Sequence, residues 1–311
     1  MTQSVPDAPP APFGRVTTYA LDVRAAPRRS APIVRRVPYD TVLRLRGQAI
    51  GEAVMRHNAI WYRLEDGWVY SSWVQPVQEV FNRPEPLLAK QGFWGEVSVP
   101  LTVARTAPNP QAAAFKRLYY TSVYRVVDAV VGSNGEWWYR LRDGVVWSGG
   151  PYVPAAHIRH IPPEELTPLS SHLSPQQKRI EIDLRRQMLT AYEGDQPVLA
   201  SRTSTGFGPF QTPKGRFRII RKRFSSRMIG GEGRDAYDLP GVPFPSYFTT
   251  SGVAIHGAYW HNDFGRQRSH GCVNTPADVA RWIWRWTLPS MDYNTIEIRD
   301  RSETATPVIV F

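Results

Sequence analysis

A short hairpin written twice restricts this chain to repeated small β modules. Trp61-Tyr62-Arg63-Leu64 is followed by Asp66-Gly67 and then Trp68-Val69-Tyr70. The same order returns at Trp138-Tyr139-Arg140-Leu141, Asp143-Gly144 and Val145-Val146-Trp147, with Trp138 standing 77 residues after Trp61. Asp-Gly between aromatic and β-branched runs is tight-turn chemistry, because both residues tolerate positive φ. A matching opening lies upstream of each copy, Leu21-Asp22-Val23-Arg24-Ala25-Ala26-Pro27 and Leu101-Thr102-Val103-Ala104-Arg105-Thr106-Ala107-Pro108. Repetition at this spacing predicts two successive supersecondary units. The 28 prolines, 23 glycines and 11 tryptophans fit a chain of many turns and aromatic-rich strands. Its 311 residues leave room for a third domain.

The boundaries follow from composition. Residues 1–13, rich in Pro and Ala, read as a flexible tail; residues 14–78 and 92–161 hold the two copies. Residues 162–176 carry Pro162, Pro163, Pro168 and Pro175 and read as a semi-rigid linker. The third domain is expected over 177–301, with a C-terminal tail at 302–311. At its start Ile180, Ile182 and Leu184 alternate with Glu181, Asp183 and Arg185, the pattern of a half-buried strand, and Met188 to Tyr192 supply a partner.

Charge and cysteine content narrow the chemistry. The formal net charge is +11, which favours an anionic partner. Cys272 is the only cysteine, so an intramolecular disulfide and a four-thiolate zinc site are both impossible. No run is long and apolar enough for a transmembrane segment, and Met1 to Pro12 lack the charged start and apolar stretch of a secretory signal, so no export signal is expected in these residues.

The densest chemistry lies in Ile255-His256-Gly257-Ala258-Tyr259-Trp260-His261 and Arg268-Ser269-His270-Gly271-Cys272-Val273-Asn274. A thiol attacks as thiolate, so it needs an imidazole within reach and donors for the oxyanion that follows. The spacing predicts a helix just after Cys272, with Thr275 as N-cap, Pro276 at the first position, Asp278 in the first turn, and Val279, Trp282, Ile283 and Trp286 on one apolar face. Gly271 permits a sharp turn, and the Gly271 and Cys272 amides are natural oxyanion donors. His261 reads as a surface or cleft-rim residue.

On these residues the chain resembles the YkuD-type L,D-transpeptidases, whose signature is an upstream His-Gly followed by Ser-His-Gly-Cys-x-Asn or Ser-His-Gly-Cys-x-Arg. His256-Gly257 and Ser269-His270-Gly271-Cys272-Val273-Asn274 carry it, with Ser204-Thr205-Gly206, Thr212-Pro213-Lys214-Gly215-Arg216-Phe217 and Gly241-Val242-Pro243 in support. The resemblance implies a β-rich catalytic domain in which Cys272 attacks a peptidoglycan stem tetrapeptide and expels D-alanine, with His256 as base, needing no cofactor or metal. It further implies that the Gly257 carbonyl orients the base and His270 shapes the oxyanion site. Tyr247 and Tyr259 are expected along the substrate cleft, with Ser269 and Asn274 holding the loop beside the bound peptide. The two repeats resemble bacterial SH3-like domains, the second with a looser match and a longer Ser148-Gly149-Gly150-Pro151 exit. Such modules either bind wall peptides or act as spacers, and both readings stay open. The implied fold is mainly β, two small SH3-like barrels before the catalytic domain, working outside the cytoplasm in the cell wall or periplasm.

Other readings have distinct signatures. A papain-like peptidase places its cysteine before its histidine, whereas no histidine follows Cys272 here. Zinc binding by His256, His261, His270 and Cys272 fits no common finger or HExxH spacing. The basic run Lys214, Arg216, Arg218, Arg221, Lys222, Arg223 and Arg227 alternates like one charged face of a strand, either a solvated face with no ligand or one suited to stem carboxylates or other anionic wall polymers, and no nucleic-acid motif accompanies it. Water in place of an acceptor amine gives an L,D-carboxypeptidase, and loss of chemistry gives a wall-binding scaffold.

Overall fold

The computed structural model describes residues 8–86, 92–142, 150–233 and 236–311. Among them the chain is mainly β, with one α-helix, Ala277–Trp286. The first seven residues of the expected N-terminal tail, and the Asp143-Gly144 and Val145-Val146-Trp147 segment, lie outside the described residues.

The first repeat builds two sheets around one core. Strand Phe13–Val16 lies between Val42–Arg44 and Val74–Val77, while Ala20–Arg24 and Asn58–Arg63 flank Trp68–Tyr70 in a five-stranded sheet. The hairpin pairs Trp61 with Tyr70 and Arg63 with Trp68, closed by a Leu64 N–H donating to Gly67 O at 2.7 Å. Alternate residues Leu21, Val23, Tyr62 and Val69 point inward and are buried together.

The second repeat forms a seven-stranded sheet. Its hairpin departs from the simple repeat: the strand opposite Trp137–Arg142 is Tyr152–Pro154, with Tyr139 facing Val153. Since Tyr62 faces Val69 in the first copy, the second copy carries a longer connection, and the 77-residue spacing does not extend to its return strand.

The third domain rests on two five-stranded sheets. One runs in the order Gln196–Arg202, Met188–Glu193, Lys178–Asp183, Pro307–Val310, Gly215–Arg218; the other in the order Val273–Thr275, Ala254–Gly257, Ser246–Tyr247, Arg221–Arg223, Glu297–Arg299. A hairpin of Ser225–Gly230 and Tyr237–Pro243 stands beside them. The expected C-terminal tail is therefore corrected: Pro307–Val310 is an interior strand, parallel to Lys178–Asp183 and antiparallel to Gly215–Arg218. A non-local partner, invisible to local pattern reading, decides its state.

The helix begins one residue later than expected. Pro276 is the N-cap, without a side-chain cap, and Thr275 ends the preceding strand with its hydroxyl donating to His256 O. Ile283 and Trp286 pack into the core of the sheets, as the apolar face predicts. Ala280 and Trp284 occupy a second face, packed with Phe224, Phe244 and, from the second module, Trp94. Leu166 joins the same cluster, so the proline-rich 162–176 segment is partly packed rather than free.

The basic run is also rearranged. It is divided among three strands, Gly215–Arg218, Arg221–Arg223 and Ser225–Gly230, and several of its charges serve internal contacts. Lys222 is fully buried and donates to Thr287 O and Pro289 O at 2.9 and 2.8 Å, just past the helix end, where partial negative charge gathers. Arg223 pairs with Glu297, and Arg227 with Asp238.

Both modules touch the third domain. Arg15, wholly buried, bonds Asp40 and Gln75 within the first module and donates to Tyr259 O across the interface. Asn262 reaches into that module, donating to Ser71 O and Val74 O, both at 3.1 Å. From the second module Lys116 donates to Asp238 Oδ2 at 2.5 Å, gripping the hairpin strand Tyr237–Pro243.

Candidate active site

Two adjacent parallel strands bring the reactive residues together. Ile255 lies opposite Val273 and His256 opposite Asn274. Side chains alternate along a strand, so Ile255 and Val273 go to the core while His256, Asn274 and, two residues before Asn274, Cys272 share the other face. All three line one cavity of about 260 Å³, together with Ser269 and His270. Met228, Tyr237 and Leu239 of the hairpin also line it.

The His256 imidazole is held in one tautomer. His256 is buried, and its Nδ1 lies 3.1 Å from Gly257 O. A carbonyl can only accept, so Nδ1 carries the hydrogen and Nε2 keeps its lone pair. Burial pushes the imidazole down to about 4, with the Gly257 carbonyl opposing that shift. Cys272 is half-buried, its Sγ 3.8 Å from Gly252 O, and burial pushes the thiol above its ordinary range, opposed by the backbone at Ala254. Both groups therefore rest neutral near pH 7. Residue 257 must be glycine because a Cβ there would stand 2.9 Å from Ala277 Cα, at the helix start.

This histidine couples stability to pH. An unfolded imidazole titrates near 6.5, so between 6.5 and 4 the unfolded chain binds a proton that native His256 does not. Stability conferred by the neutral ring is present above the unfolded value and is lost as pH falls towards 4, by about 3 kcal/mol over the full gap. His261, also buried and depressed, acts in the same direction. Urea midpoints at pH 7.5 and 5.0 are expected to fall accordingly, and His256→Gln to show a shallower fall. An unchanged slope in that variant would rule out His256 as the source.

The loop before the thiol is stapled. Ser269 Oγ donates to Cys272 O, and the Gly271 N–H donates to Ser269 Oγ at 3.2 Å. The Thr212 hydroxyl donates to Gly271 O at 2.8 Å and accepts from Gly206 N. Gly271 has φ +109°, a conformation that favours glycine, and the turn directs its amide to Ser269 Oγ. That amide, expected as an oxyanion donor, is thus engaged within the loop. His270 is exposed at the mouth between the rings of Phe210 and Tyr237, at 4.6 and 4.9 Å between centroids.

Three expectations are corrected. His261 is not a rim residue: it is buried, its Nδ1 accepting from Asp263 N and its Nε2 lying 2.9 Å from the Asn274 amide. Tyr247 does not line the cavity; its strand pairs it with Ala254, its hydroxyl donates to Ser226 Oγ, and Arg221 covers its ring. Tyr259 is buried too, its hydroxyl donating to Pro240 O and its ring stacked on Tyr119 of the second module. The cavity instead uses Arg268, Trp260 and Tyr237. Arg268 immediately precedes the Ser-His-Gly-Cys run and was open to notice; Tyr237 arrives from a distant hairpin that no local signal marks.

A β-rich domain that sets one thiol and one neutral imidazole on the same face of adjacent strands holds the pair of groups that cysteine acyl transfer needs. Residues 177–310 match the YkuD family model, described as the L,D-transpeptidase catalytic domain, and this part of the chain is such a domain. Among solved structures the chain is similar to an Enterococcus faecium L,D-transpeptidase, at 26% identity over 43% of this chain and 50% of that one, with TM-score 0.35. It is also similar to an L,D-transpeptidase from Mycobacterium smegmatis (18% identity, 56% and 90% covered, TM-score 0.36) and one from Xylanimonas cellulosilytica (26%, 47% and 63%, TM-score 0.31). The match thus spans about half the length of the Enterococcus chain. A search of curated proteins found no match.

Proposed function

We propose that the chain is a peptidoglycan L,D-transpeptidase acting outside the cytoplasm through a Cys272 thioester. The observation that supports this most is the shared cavity of Cys272 and His256, with His256 Nε2 left free to accept a proton. Cys272 Sγ attacks the carbonyl carbon of the third stem residue as its proton passes to His256. The C–N bond breaks, His256 returns the proton to the departing D-alanine amine, and a thioester remains. An amine of a neighbouring stem then attacks the thioester, forming the cross-link and releasing the thiol, with His256 relaying the proton back. The Cys272 amide and His270 stabilise the oxyanion, while Ser269 and Asn274 hold the loop. The two repeats are SH3-like modules serving as a scaffold, since both grip the cavity walls, and anionic wall polymers other than stem peptides suit the net charge.

Mass spectrometry of the intact protein with a disaccharide tetrapeptide tests this. A mass increase equal to the stem less D-alanine, absent in Cys272→Ala, together with cross-linked dimer, is the expected result. Tripeptide without dimer would make hydrolysis the reaction, and no adduct would overturn the thioester.

A further inference from the structure

The cavity carries one permanent positive charge among its described lining residues, and none of those residues is acidic. The charge is Arg268. Its backbone is fixed by a 2.8 Å bond from its N–H to Thr205 O, and its guanidinium, about one third exposed, reaches Asp263 Oδ2 at 3.4 Å. Asp263 is already committed elsewhere. Its wholly buried carboxylate bonds Arg266 and, at 2.9 Å, His57 Nε2 of the first module. One carboxylate therefore faces two guanidiniums and an imidazole. A guanidinium has five N–H donors in a planar fork, and the long contact to Asp263 accounts for one of Arg268's.

We infer that Arg268 is the carboxylate anchor of the donor site: it takes the free carboxylate of the stem's terminal residue, beside the amide that Cys272 cleaves. The inference rests on the transpeptidase reading and adds to it the feature of the donor that the site selects. A carboxylate one residue from the scissile bond matches a fixed cation sharing a cavity with the thiol, while Met228, Leu239 and Trp260 leave the rest of the wall apolar. Binding in a cavity with largely apolar walls also compensates a guanidinium whose pKa burial lowers from its ordinary value, with Asp263 raising it again. His57 and Asp263 are positioning residues. Through them the first module, by a contact between residues 206 positions apart, sets the wall that carries the anchor. Gly265 has φ +110°, and a Cβ there would stand 3.1 Å from the His57 ring, so loop and module are fitted closely at this point.

The test compares a tetrapeptide stem ending in a free carboxylate with its C-terminal carboxamide. Wild type is expected to favour the acid by about 10–100-fold in kcat/KM, the range for a hydrogen bond to a charged group. Arg268→Gln is expected to bring that preference to near one by losing rate on the acid alone, with Arg268→Lys retaining part of it. His57→Ala is expected to narrow the preference without changing the rate on the carboxamide. Equal slowing of both substrates by Arg268→Gln, or a preference that survives it, would overturn the inference. Calorimetric binding of both stems to Cys272→Ala and to Cys272→Ala/Arg268→Gln separates the two claims. Binding without discrimination between acid and amide sinks the anchor alone, whereas no binding and no wild-type adduct sink the proposed function with it.

Discussion

Alanine at Cys272 removes the acyl adduct and lowers turnover by about 10⁶-fold, the scale seen when the nucleophile of a catalytic unit is deleted. Alanine at His256 is expected to cost about 10²–10⁴-fold at neutral pH, the range for general-base catalysis. Combined with Cys272→Ala it is expected to add nothing, because the two act on one proton and one bond. The reasoning follows from their resting charge. Burial raises the thiol and depresses the imidazole, so no thiolate–imidazolium pair exists beforehand to be preserved. Without the ring, attack depends on spontaneous thiolate, a minor species near pH 7 for a thiol that burial holds above its ordinary range. The rate of His256→Ala should then climb about tenfold per pH unit through the alkaline range, because thiolate concentration does. Stopped-time adduct formation from pH 6 to 10 measures it. A flat profile in that variant would show that some other group activates Cys272.

The signature around Cys272 was legible because its constraints are local. Gly271 needs a turn few residues accept, Ser269 and the thiol share a loop of four residues, and the apolar spacing of Ile283 and Trp286 marks a helix face within one element. The β character of the chain was legible for the same reason, since alternation such as Ile180–Ile182 against Glu181–Asp183 needs no knowledge of partners. What escaped was set by contacts across the chain. Tyr247 and Tyr259 carry the composition of cleft residues, yet Arg221 and Tyr119 cover them. His261 looked like a rim group because its partners, Asp263 and Asn274, lie on a loop and on a strand beyond it. Trp284 stands outside the expected face of Val279, Trp282, Ile283 and Trp286, and its burial depends on the second module, which supplies Trp94 to the same cluster.

These same long contacts change what the repeats are for. A module joined to the catalytic domain only by a flexible chain would leave Arg15 and Asn262 in water. Here Arg15 is wholly buried and Asn262 makes two backbone contacts across the interface. A buried guanidinium left without its acceptors is costly, so the modules and the catalytic domain hold one another in register. The loop carrying Arg268 and the hairpin carrying Tyr237 are each gripped from outside the catalytic sheets, one by each module.

A chain ending at residue 301 is expected not to fold, although residues 302–311 read in the sequence as a C-terminal tail. Pro307–Val310 completes the sheet from within: it pairs with Lys178–Asp183 on one side and Gly215–Arg218 on the other, so its loss exposes two ladders of backbone groups at once. Val308 and Val310 are 0% and 2% exposed among Ile180, Ile182 and Ile219, each worth about 1.5–3 kcal/mol of burial. Phe311 N–H donates to Ile182 O and Leu184 N–H to Phe311 O, extending the pairing past the strand, and Thr306 Oγ1 accepts from Leu288 N just beyond the helix. The summed loss approaches the about 5–15 kcal/mol that holds a typical domain together. Val308→Ala provides the graded version, expected to cost about 2 kcal/mol through lost methyl groups and the space they leave. Circular dichroism and urea titration of both forms measure the effect. A 1–301 chain that unfolds cooperatively at the midpoint of the full chain would mean that Lys178–Asp183 and Gly215–Arg218 can close on each other without the strand between them.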